Sequence, residues 1–474
     1  MKNNLWSLAL LSGALLYGGV SARASVSPEQ PAGAVEYVKS NPEWIDNAVI
    51  YEANLRQGTS ERNLKGLQKR LPALKDLGVD IVWLMPIHPI SEKNRKGTLG
   101  SYYAVRDYKA VNPEFGTMED LKEFVHAAHL LGMKVILDEV CNHTGCDNAW
   151  VTEHPEYYAK NEAGEMYGPF DWTDTYKLDY SNPGTRAAMT DALKFWIEEA
   201  DIDGYRCDVA FQVPTDYWQE VIPQLNAIKP VFMLAESSDA PELLTVFNAD
   251  YAWPMKDVFN DIAATQGVNQ YAVANNQKRA TANAQDIVKL LRKLEKDYPK
   301  GSIHMNMVTN HDLNSWEGTE FERYGAGLGA FALLSYTLPG MPMMYTGQEV
   351  GFNHAFEFFE TDTVQPDYTA NELTTYYELL NSLKHNHSAL NSNGQLDTMQ
   401  VWNTINPNVL AFTRSDSNGD KVTVIVNLSN EETPVTFSDL APSADSMIDY
   451  FTGAPANMPN HLGAWQFAVW VPAE

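Results

Sequence analysis

The strongest constraint on the fold of this chain is a regular alternation of short apolar runs and amphipathic segments. Seven runs are rich in β-branched and large apolar residues, and an eighth, weaker run lies near Phe247 to Trp253. The seven runs are Asn47 to Leu55, Asp80 to Met85, Lys134 to Val140, Gly204 to Val209, Val231 to Ala235, Ile303 to Val308 and Met341 to Tyr345. Between them, apolar residues recur at helical spacing on one face. One such series is Leu64, Leu67, Leu71, Leu74 and Leu77. This alternation predicts a parallel sheet covered by helices.

Eight strand segments in succession suit a closed barrel better than an open sheet. We therefore predict an α/β fold, a (β/α)8 TIM barrel built from residues 25–143 and 181–393. The segment Thr144 to Tyr180 interrupts the alternation after the third strand and is too long for an ordinary connecting loop. We expect residues 144–180 to form a small inserted subdomain.

The pattern changes after about Gly394. Apolar residues there alternate with period two, as in Val409 to Thr413 and Val422 to Val426, and Asn418-Gly419 lies between these runs as a hairpin-turn signal. Such alternation is typical of strands with one buried face. Residues 394–474 are therefore predicted to form a separate all-β sandwich domain.

The charge of the chain restricts its partners. The 474 residues include 34 basic and 61 acidic side chains, a formal net charge of −27. Because phosphate backbones and anionic lipid surfaces repel such a chain, we expect neither nucleic acid nor a membrane surface as a partner. The cysteines Cys141, Cys146 and Cys207 are too few for a disulfide framework and lack a C-x-x-C spacing. Buried free thiols are expected, with a Cys141–Cys146 bridge as the alternative.

The first residues have the layout of a secretory signal peptide. Lys2 gives a basic start, residues 5–20 are apolar, and Ala22-Arg23-Ala24 supplies an A-x-A cleavage site. A membrane anchor is the alternative, but the apolar run is shorter than the roughly 20 residues that span a bilayer. We predict a signal peptide at residues 1–24, export to the periplasm or the medium, and a monomeric mature protein without a membrane anchor.

Charged residues lie at the ends of several predicted strands, where a barrel of this type has its active site. The strand-end residues are Asp138, Asn142 and His143 on the third strand, Arg206 and Asp208 on the fourth, Glu236 on the fifth, and Asn310, His311 and Asp312 on the seventh. Arg206 favours the ionised form of Asp208, whereas desolvation at the end of an apolar run favours the protonated form of Glu236. Each residue alone fits a buried ion pair or a polar loop equally well. Together they suit glycoside cleavage, in which one carboxylate attacks and another carboxyl donates a proton.

In order and spacing, these segments resemble the motifs of the α-amylase family of glycoside hydrolases. Residues 138–143 resemble its first motif, residues 204–208 its nucleophile motif, Glu236 its proton-donor position and residues 310–312 the motif of its transition-state-stabilising acid. Further similar segments are Gly78 to Pro86, Leu178 to Tyr180, Gly340 to Pro342 and Gly347 to Glu349. The resemblance extends over about residues 45 to 474.

The resemblance implies a retaining double displacement at internal α-1,4-glucosidic bonds of starch- and glycogen-type glucans. It implies that Asp208 is the nucleophile, that Glu236 is the acid and base, and that Asp312 helps to distort the bound sugar. The substrate-binding residues it implies are Tyr103, Asp138, His143, Arg206 and His311. Retention predicts that the carboxyl groups of Asp208 and Glu236 lie roughly 5 to 5.5 Å apart.

One departure from the family pattern concerns calcium. Many α-amylases have Lys-His shortly after the nucleophile, whereas residues 209–212 here are Val, Ala, Phe and Gln. The resemblance still places a calcium ligand at Asn142, and oxygen-rich side chains of the insertion could complete a site for a structural calcium ion. The alternative is that these loops are only solvated, as carboxylate-rich loops usually are. The chemistry itself requires no cofactor.

The predicted insertion is rich in aromatic residues: Trp150, Tyr157, Tyr158, Tyr167, Phe170, Trp172, Tyr176 and Tyr180. Aromatic faces stack on the apolar faces of sugar rings, so these side chains suit a wall beside a glucan cleft. They suit a small core for the insertion itself equally well.

Three other functions remain compatible with the sequence. A maltooligosaccharide- or cyclodextrin-acting hydrolase or transglycosylase of the same family is the nearest, although the short stretch before the first strand favours internal cleavage. A metal-dependent barrel hydrolase would use the side chains of His88, His143, His311 and Asp138, but the first strand lacks the histidine pair usual there. A catalytically silent glucan-binding barrel would be expected to lack one of the three acids, and all three are present.

Overall fold

The computed structural model describes residue 39, residues 41–392 and residues 398–473. The predicted signal peptide, residues 1–24, therefore lies outside the described residues. Among the residues described, no helix is both long enough and apolar enough to cross a bilayer.

Within the described residues, eight parallel strands close into a barrel. The strands are β1 (Ile50–Ala53), β2 (Ile81–Leu84), β3 (Lys134–Glu139), β4 (Gly204–Cys207), β5 (Phe232–Ala235), β6 (Ala249–Tyr251), β7 (Ile303–Asn306) and β8 (Met341–Tyr345). Each pairs with the next along the chain, and β8 pairs with β1. The predicted (β/α)8 barrel is confirmed, including its weakly signalled sixth strand.

Helices surround the barrel. They are α1 (Leu64–Gln68), α2 (Leu71–Leu77), α3 (Met118–Leu130), α4 (Trp150–Glu153), α5 (Pro183–Ala200), α6 (Thr215–Ile228), α7 (Trp253–Thr265), α8 (Gln270–Ala274), α9 (Ala284–Asp297), α10 (His311–Trp316), α11 (Glu320–Tyr324), α12 (Leu328–Thr337) and α13 (Glu372–Asn386). Short 3-10 helices lie at Glu43–Ile45, Pro155–Tyr157, Ala210–Gln212, Pro241–Thr245, Gly325–Gly327, Gln348–Val350 and Ser388–Leu390. The leucine series of the first helical segment is divided between α1 and α2, because Pro72 lies in the first turn of α2, where the missing N–H costs nothing.

Large apolar side chains fill the interior of the barrel. They include Ile50, Ile81, Trp83, Ile136, Leu234, Tyr251, Met305 and Met343, all buried. Because alternate side chains of a strand point to opposite faces, the intervening residues pack against the helices. The interior is therefore a packed core that supports the carboxyl ends of the strands.

The segment after β3 carries a two-stranded antiparallel sheet, His143–Gly145 with Thr175–Lys177. Its aromatic side chains fall into two groups. Tyr158 and Tyr180 are buried, whereas Phe170 is exposed and its ring lies 4.9 Å from that of Trp172. Tyr158 and Tyr180 therefore fit a small core of the insertion, whereas the wall beside a glucan cleft stays a prediction for Phe170 and Trp172.

The C-terminal strands form a five-stranded antiparallel sheet and a two-stranded sheet within the described residues. The first contains Met399–Val401, Val409–Ser415, Lys421–Asn427, Met447–Asp449 and Phe467–Pro472; the second pairs Thr433–Pro434 with His461–Leu462. Their shared core includes Ala411, Ile425, Leu462 and Trp470. Asn418-Gly419 lies in the turn between two paired strands, and Gly419 has a φ of +94°, which favours glycine.

Candidate active site

The predicted site residues meet at the carboxyl ends of the barrel strands. Asp138 on β3 and Arg206 on β4 are register partners on adjacent strands, and both are buried. Asp208 follows β4, Glu236 follows β5, and Asp312 lies in the first turn of α10. Residues from separate parts of the chain therefore surround one space at the rim of the barrel.

Arg206 is the first of two cationic centres in this space. Its Nη1 donates to Asp138 Oδ1 at 2.8 Å and to Asp208 Oδ1 at 3.0 Å, and its Nη2 lies 2.9 Å from Glu236 Oε2. Its Nε donates to the hydroxyl of Tyr251 at 3.0 Å. One buried guanidinium thus contacts three carboxyl groups and sets the relative positions of Asp208 and Glu236. Their carboxyl separation stays a prediction.

The backbone after β4 makes a second contact with Glu236. The Val209 N–H donates to Glu236 Oε2 at 2.8 Å. Val209 has a φ of +37°, a left-handed conformation that is strained for a β-branched residue. Such strain costs about 1 to 3 kcal/mol and is typical of functional sites. Here the strained residue directs its N–H at the acid.

These contacts divide the oxygens of each acid into a bound one and an available one. Both contacts to Glu236 use Oε2, so Oε1 is the oxygen available to carry a proton. Arg206 holds Asp208 Oδ1, and Oδ2 has no hydrogen-bond partner among the described residues. The arrangement therefore leaves Oδ2 of Asp208 available for attack and Oε1 of Glu236 available for proton donation.

Burial raises the pKa values of the four acids at the rim, which are Asp138, Asp208, Glu236 and Asp312. It raises the pKa of Asp138 to about 7, although Arg206 opposes the shift. It raises the pKa values of Asp208 and Glu236, which Arg206 again opposes, and nearby carboxylates add to both shifts. The raised pKa of Glu236 agrees with the sequence-based expectation. Arg206 favours the ionised form of Asp208, as expected, but burial outweighs this effect and the pKa of Asp208 is raised.

His311 is the second cationic centre. Its Nδ1 hydrogen-bonds Glu52 Oε1, and its Nε2 lies 2.8 Å from the hydroxyl of Tyr103 and 3.4 Å from Asp312 Oδ1. Burial alone would lower the pKa of His311, but the charges of Asp312 and Glu52 raise it to about 9. His311 is therefore protonated at neutral pH, and Asp312 lies beside a positive charge.

Tyr103 connects the two centres. Its hydroxyl donates to Asp138 Oδ2 at 3.0 Å, so it contacts both an Arg206 partner and His311. Its ring stacks on the His311 ring at 5.4 Å and on the Phe358 ring at 6.3 Å. The predicted aromatic residue of the site thus lies beside the acids, and its ring is one of a continuous series.

His143 and Asn142 lie at the start of the inserted segment, and both are buried. Burial lowers the pKa of His143 to about 4, so the ring is neutral at pH 7. The ring lies 5.2 Å from that of Trp172. Trp172 is half-buried and in turn contacts the exposed ring of Phe170, so His143 lies beside the aromatic residues of the insertion.

Asn142, the calcium ligand that the resemblance implies, is buried beside His143. The Asn142 amide lies 3.3 Å from His143 Nδ1, and the Lys177 ammonium donates to Gln212 Oε1 at 3.4 Å. In the part of the chain that the structure describes, no three His, Cys, Asp or Glu side chains are placed to hold a metal ion. The calcium ion stays a prediction, and no step below uses it.

Because no such group of metal ligands is found among the described side chains, they give no support to the alternative of a metal-dependent barrel hydrolase. His88, one of its four residues, is buried, and its Nε2 lies 3.6 Å from Glu139 Oε2. Cys141, Cys146 and Cys207 are buried free thiols, as expected.

Two residues of the site, Glu52 and Tyr251, were not predicted from the sequence. Glu52 on β1 is buried and holds both the ring and the backbone N–H of His311. Its signal was available, because an acid within an apolar strand run is the same feature that identified Glu236. Tyr251, which accepts from Arg206, lies in the weakly signalled β6 and carried no comparable signal.

A closed barrel with two differently held acids and a third acid at its rim defines a class of enzymes that cleave glycosidic bonds by acid–base and nucleophilic chemistry. The family model of the α-amylase catalytic domain matches residues 49–388. The chain belongs to the α-amylase family of glycoside hydrolases.

Named relatives include several activities. The chain is 25% identical to α-amylase MalA of Haloarcula japonica over 92% of its own length, and 26% identical to a cyclomaltodextrinase of Geobacillus thermopakistaniensis over 78%. It spans only 62% of the length of each. The crystal structure of a maltogenic α-amylase, AmyB from Thermotoga neapolitana, is 28% identical with a TM-score of 0.75, covering 91% of this chain and 98% of that one.

Proposed function

We propose that this protein is a retaining hydrolase of α-1,4-glucosidic bonds that acts on maltooligosaccharides and cyclodextrins, with transfer to a second sugar as a side reaction. The observation that carries the proposal is the single guanidinium of Arg206, which holds one oxygen of Asp208 and one of Glu236. This leaves a nucleophilic oxygen and a protonated oxygen facing the same space, as double displacement requires.

In the first step, Asp208 Oδ2 attacks the anomeric carbon while Glu236 Oε1 donates its proton to the leaving oxygen. In the second step, Glu236 takes a proton from water, or from a sugar hydroxyl, and that oxygen displaces Asp208. The raised pKa of Glu236 suits the acid of the first step. In this mechanism Asp312, which lies 3.4 Å from the positively charged His311, binds sugar hydroxyls.

Two observations support the choice of substrate. The Thermotoga protein is titled a maltogenic α-amylase, and the Geobacillus relative is named a cyclomaltodextrinase. Internal cleavage of starch is the second candidate, because the exposed ring of Phe170 and the half-buried ring of Trp172 beside His143 suit an extended chain.

Product analysis over time separates these candidates. Amylose, soluble starch, cyclodextrin, maltoheptaose and pullulan are each incubated with the protein, with the Glu236→Gln variant as control. Early release of maltose, slow loss of starch viscosity and opening of cyclodextrin are expected. Rapid viscosity loss with little early maltose would replace the proposal by internal cleavage, and no hydrolysis of any of the five would overturn the enzyme function.

Export completes the proposal. The signal-like layout of residues 1–24 supports cleavage before Ser25 and activity outside the cytoplasm. N-terminal sequencing of the protein recovered from the periplasm or medium is expected to begin at Ser25; an uncleaved protein in the cytoplasm would contradict this.

A further inference from the structure

A cavity of about 420 Å³ lies at the far end of α10 from the acids. Its lining includes Gln270, Tyr271, Asn275, Ser315, Trp316 and Glu322. Two aromatic rings accompanied by amide, hydroxyl and carboxylate groups are the composition that binds a sugar, whose faces are apolar and whose edges carry hydroxyls. Trp316 is 43% exposed, so much of its ring surface is available.

The cavity is connected to the active site through α10. Asp312 and Trp316 are four residues apart on this helix, so they lie on the same face, about 6 Å apart along the helix axis. The side chain of Asp312 is 38% exposed. A chain bound at Asp312 can therefore continue along this face to Trp316.

Aromatic rings form a second connection. The Trp316 ring lies 5.5 Å from that of Phe358, which stacks at 6.3 Å on Tyr103 in the active site. Asn314 anchors the segment that carries Phe358, donating to the His354 carbonyl and accepting from the Phe356 N–H. The position of Trp316 is thus set by contacts that reach the catalytic residues.

The far wall of the cavity is held close to Trp316. The Tyr271 hydroxyl donates to the Trp316 carbonyl at 2.6 Å. Gly318 has a φ of +80°, and a Cβ there would lie 2.5 Å from the Tyr271 ring. Glycine at this position therefore permits the close approach of Tyr271 that shapes the cavity.

We propose that Trp316 and Tyr271 form a further glucosyl-binding subsite, which extends the catalytic cleft along α10 and favours longer α-1,4-glucans. This inference rests on the proposed function, because the occupant is the continuation of a chain already bound at the acids. Gln270, Asn275 and Glu322 supply polar groups for the hydroxyls of that sugar.

The test is the dependence of affinity on chain length. Binding of maltooligosaccharides from three to eight glucosyl units is measured calorimetrically in the Glu236→Gln protein, alone and combined with Trp316→Ala, Trp316→Phe or Val273→Ala. Val273 is the matched control, since it is an exposed apolar residue on the same helix as Tyr271 but does not line the cavity. Thermal unfolding verifies that each variant is folded.

Trp316→Ala is expected to reduce the gain in affinity from short to long chains about fivefold, within the range measured for aromatic contacts. Trp316→Phe should retain most of the gain, and Val273→Ala all of it. An unchanged length dependence in the folded Glu236→Gln/Trp316→Ala protein, with hydrolysis of α-glucans by the unsubstituted protein, would overturn the subsite alone. Absence of maltooligosaccharide binding by the Glu236→Gln protein, together with absence of hydrolysis by the unsubstituted protein, would overturn the proposed function and the subsite with it.

Discussion

The two cationic centres of the active site differ in whether their charge can change. Arg206 contacts Asp138, Asp208 and Glu236, and its guanidinium stays charged at any pH at which the protein is folded. His311 contacts Glu52 and Asp312 and has a pKa of about 9, so its charge is lost in alkaline solution. Both are buried, and each contacts at least one acid from another strand, Asp138 and Glu236 for Arg206 and Glu52 for His311.

The difference in charge means that Arg206 and His311 can have different tasks at one bound sugar. In the proposed mechanism, the acids that form and break bonds contact Arg206, whose charge is permanent, so their positions do not depend on the pH at which they titrate. Asp312, the acid proposed to bind sugar hydroxyls, lies beside His311, whose charge depends on pH. Alkaline solution should therefore weaken the His311 side of the site before it disturbs the Arg206 side. The predictions below test this division.

Removal of either reacting carboxylate on the Arg206 side should have the largest effect. Asp208→Asn and Glu236→Gln are each expected to lower kcat about a thousandfold, because they remove the nucleophile or the proton donor. Steady-state kinetics on maltoheptaose measure the loss. The exposed acid Asp191, changed to asparagine, is the control and should keep full activity. Full activity of the Asp208→Asn protein would disprove the mechanism.

Arg206→Lys tests whether the geometry of the guanidinium, which contacts three carboxyl groups at once, contributes in addition to its positive charge. A lysine ammonium cannot contact three carboxyl groups in the same geometry, so kcat/KM should fall about a hundredfold and unfolding should become easier by about 3 kcal/mol. Kinetics and denaturant unfolding measure the two effects. Arg106→Lys, at an exposed ion pair with Glu92, should change stability by less than about 0.5 kcal/mol. Equal losses of stability from the two substitutions would mean that the guanidinium of Arg206 contributes nothing beyond its charge.

Local patterns in the sequence were sufficient for the barrel and for most of the site. The apolar runs identified every barrel strand, because buried parallel strands are continuously apolar, and strand-end position identified Asp138, Arg206, Asp208 and Glu236 as neighbours. Period-two alternation located the C-terminal sheets in the same way.

The contacts between distant segments could not be predicted. Whether Arg206 holds one acid or three depends on the closure of the barrel, which brings β3, β4 and β5 together. The pairing of Glu52 with His311 joins residues 259 positions apart and depends on where α10 begins. The left-handed Val209 has no sequence signal either, because nothing in a valine indicates a positive φ.

Glu52→Gln tests the part of the active site around His311, whose charge depends on pH. Glu52 helps to raise the pKa of His311 to about 9, so its loss should lower that pKa. Because the histidine is charged only below its pKa, the charge beside Asp312 should then disappear at lower pH. We expect the alkaline limb of the kcat/KM profile to move down by about one pH unit and activity at pH 8 to fall several-fold.

Histidine titration by NMR, together with the pH–rate profile, measures the shift. Asp420→Asn, which removes the partner of His387 in the C-terminal part of the chain, is the matched control and should leave the alkaline limb in place. If Glu52→Gln leaves the titration of His311 unchanged, the two centres do not differ in the way described.

Removal of calcium should have the smallest effect, since it acts on neither cationic centre. A calcium ion at Asn142 would have few carboxylate ligands among the described residues, and calcium with few carboxylates binds weakly. The ammonium of Lys177 already joins the insertion to the turn after Asp208 through Gln212. Chelation should therefore lower Tm by less than about 2 °C and leave kcat unchanged. A large loss of activity that calcium restores would mean that the ion, and not Lys177, positions the insertion beside the nucleophile.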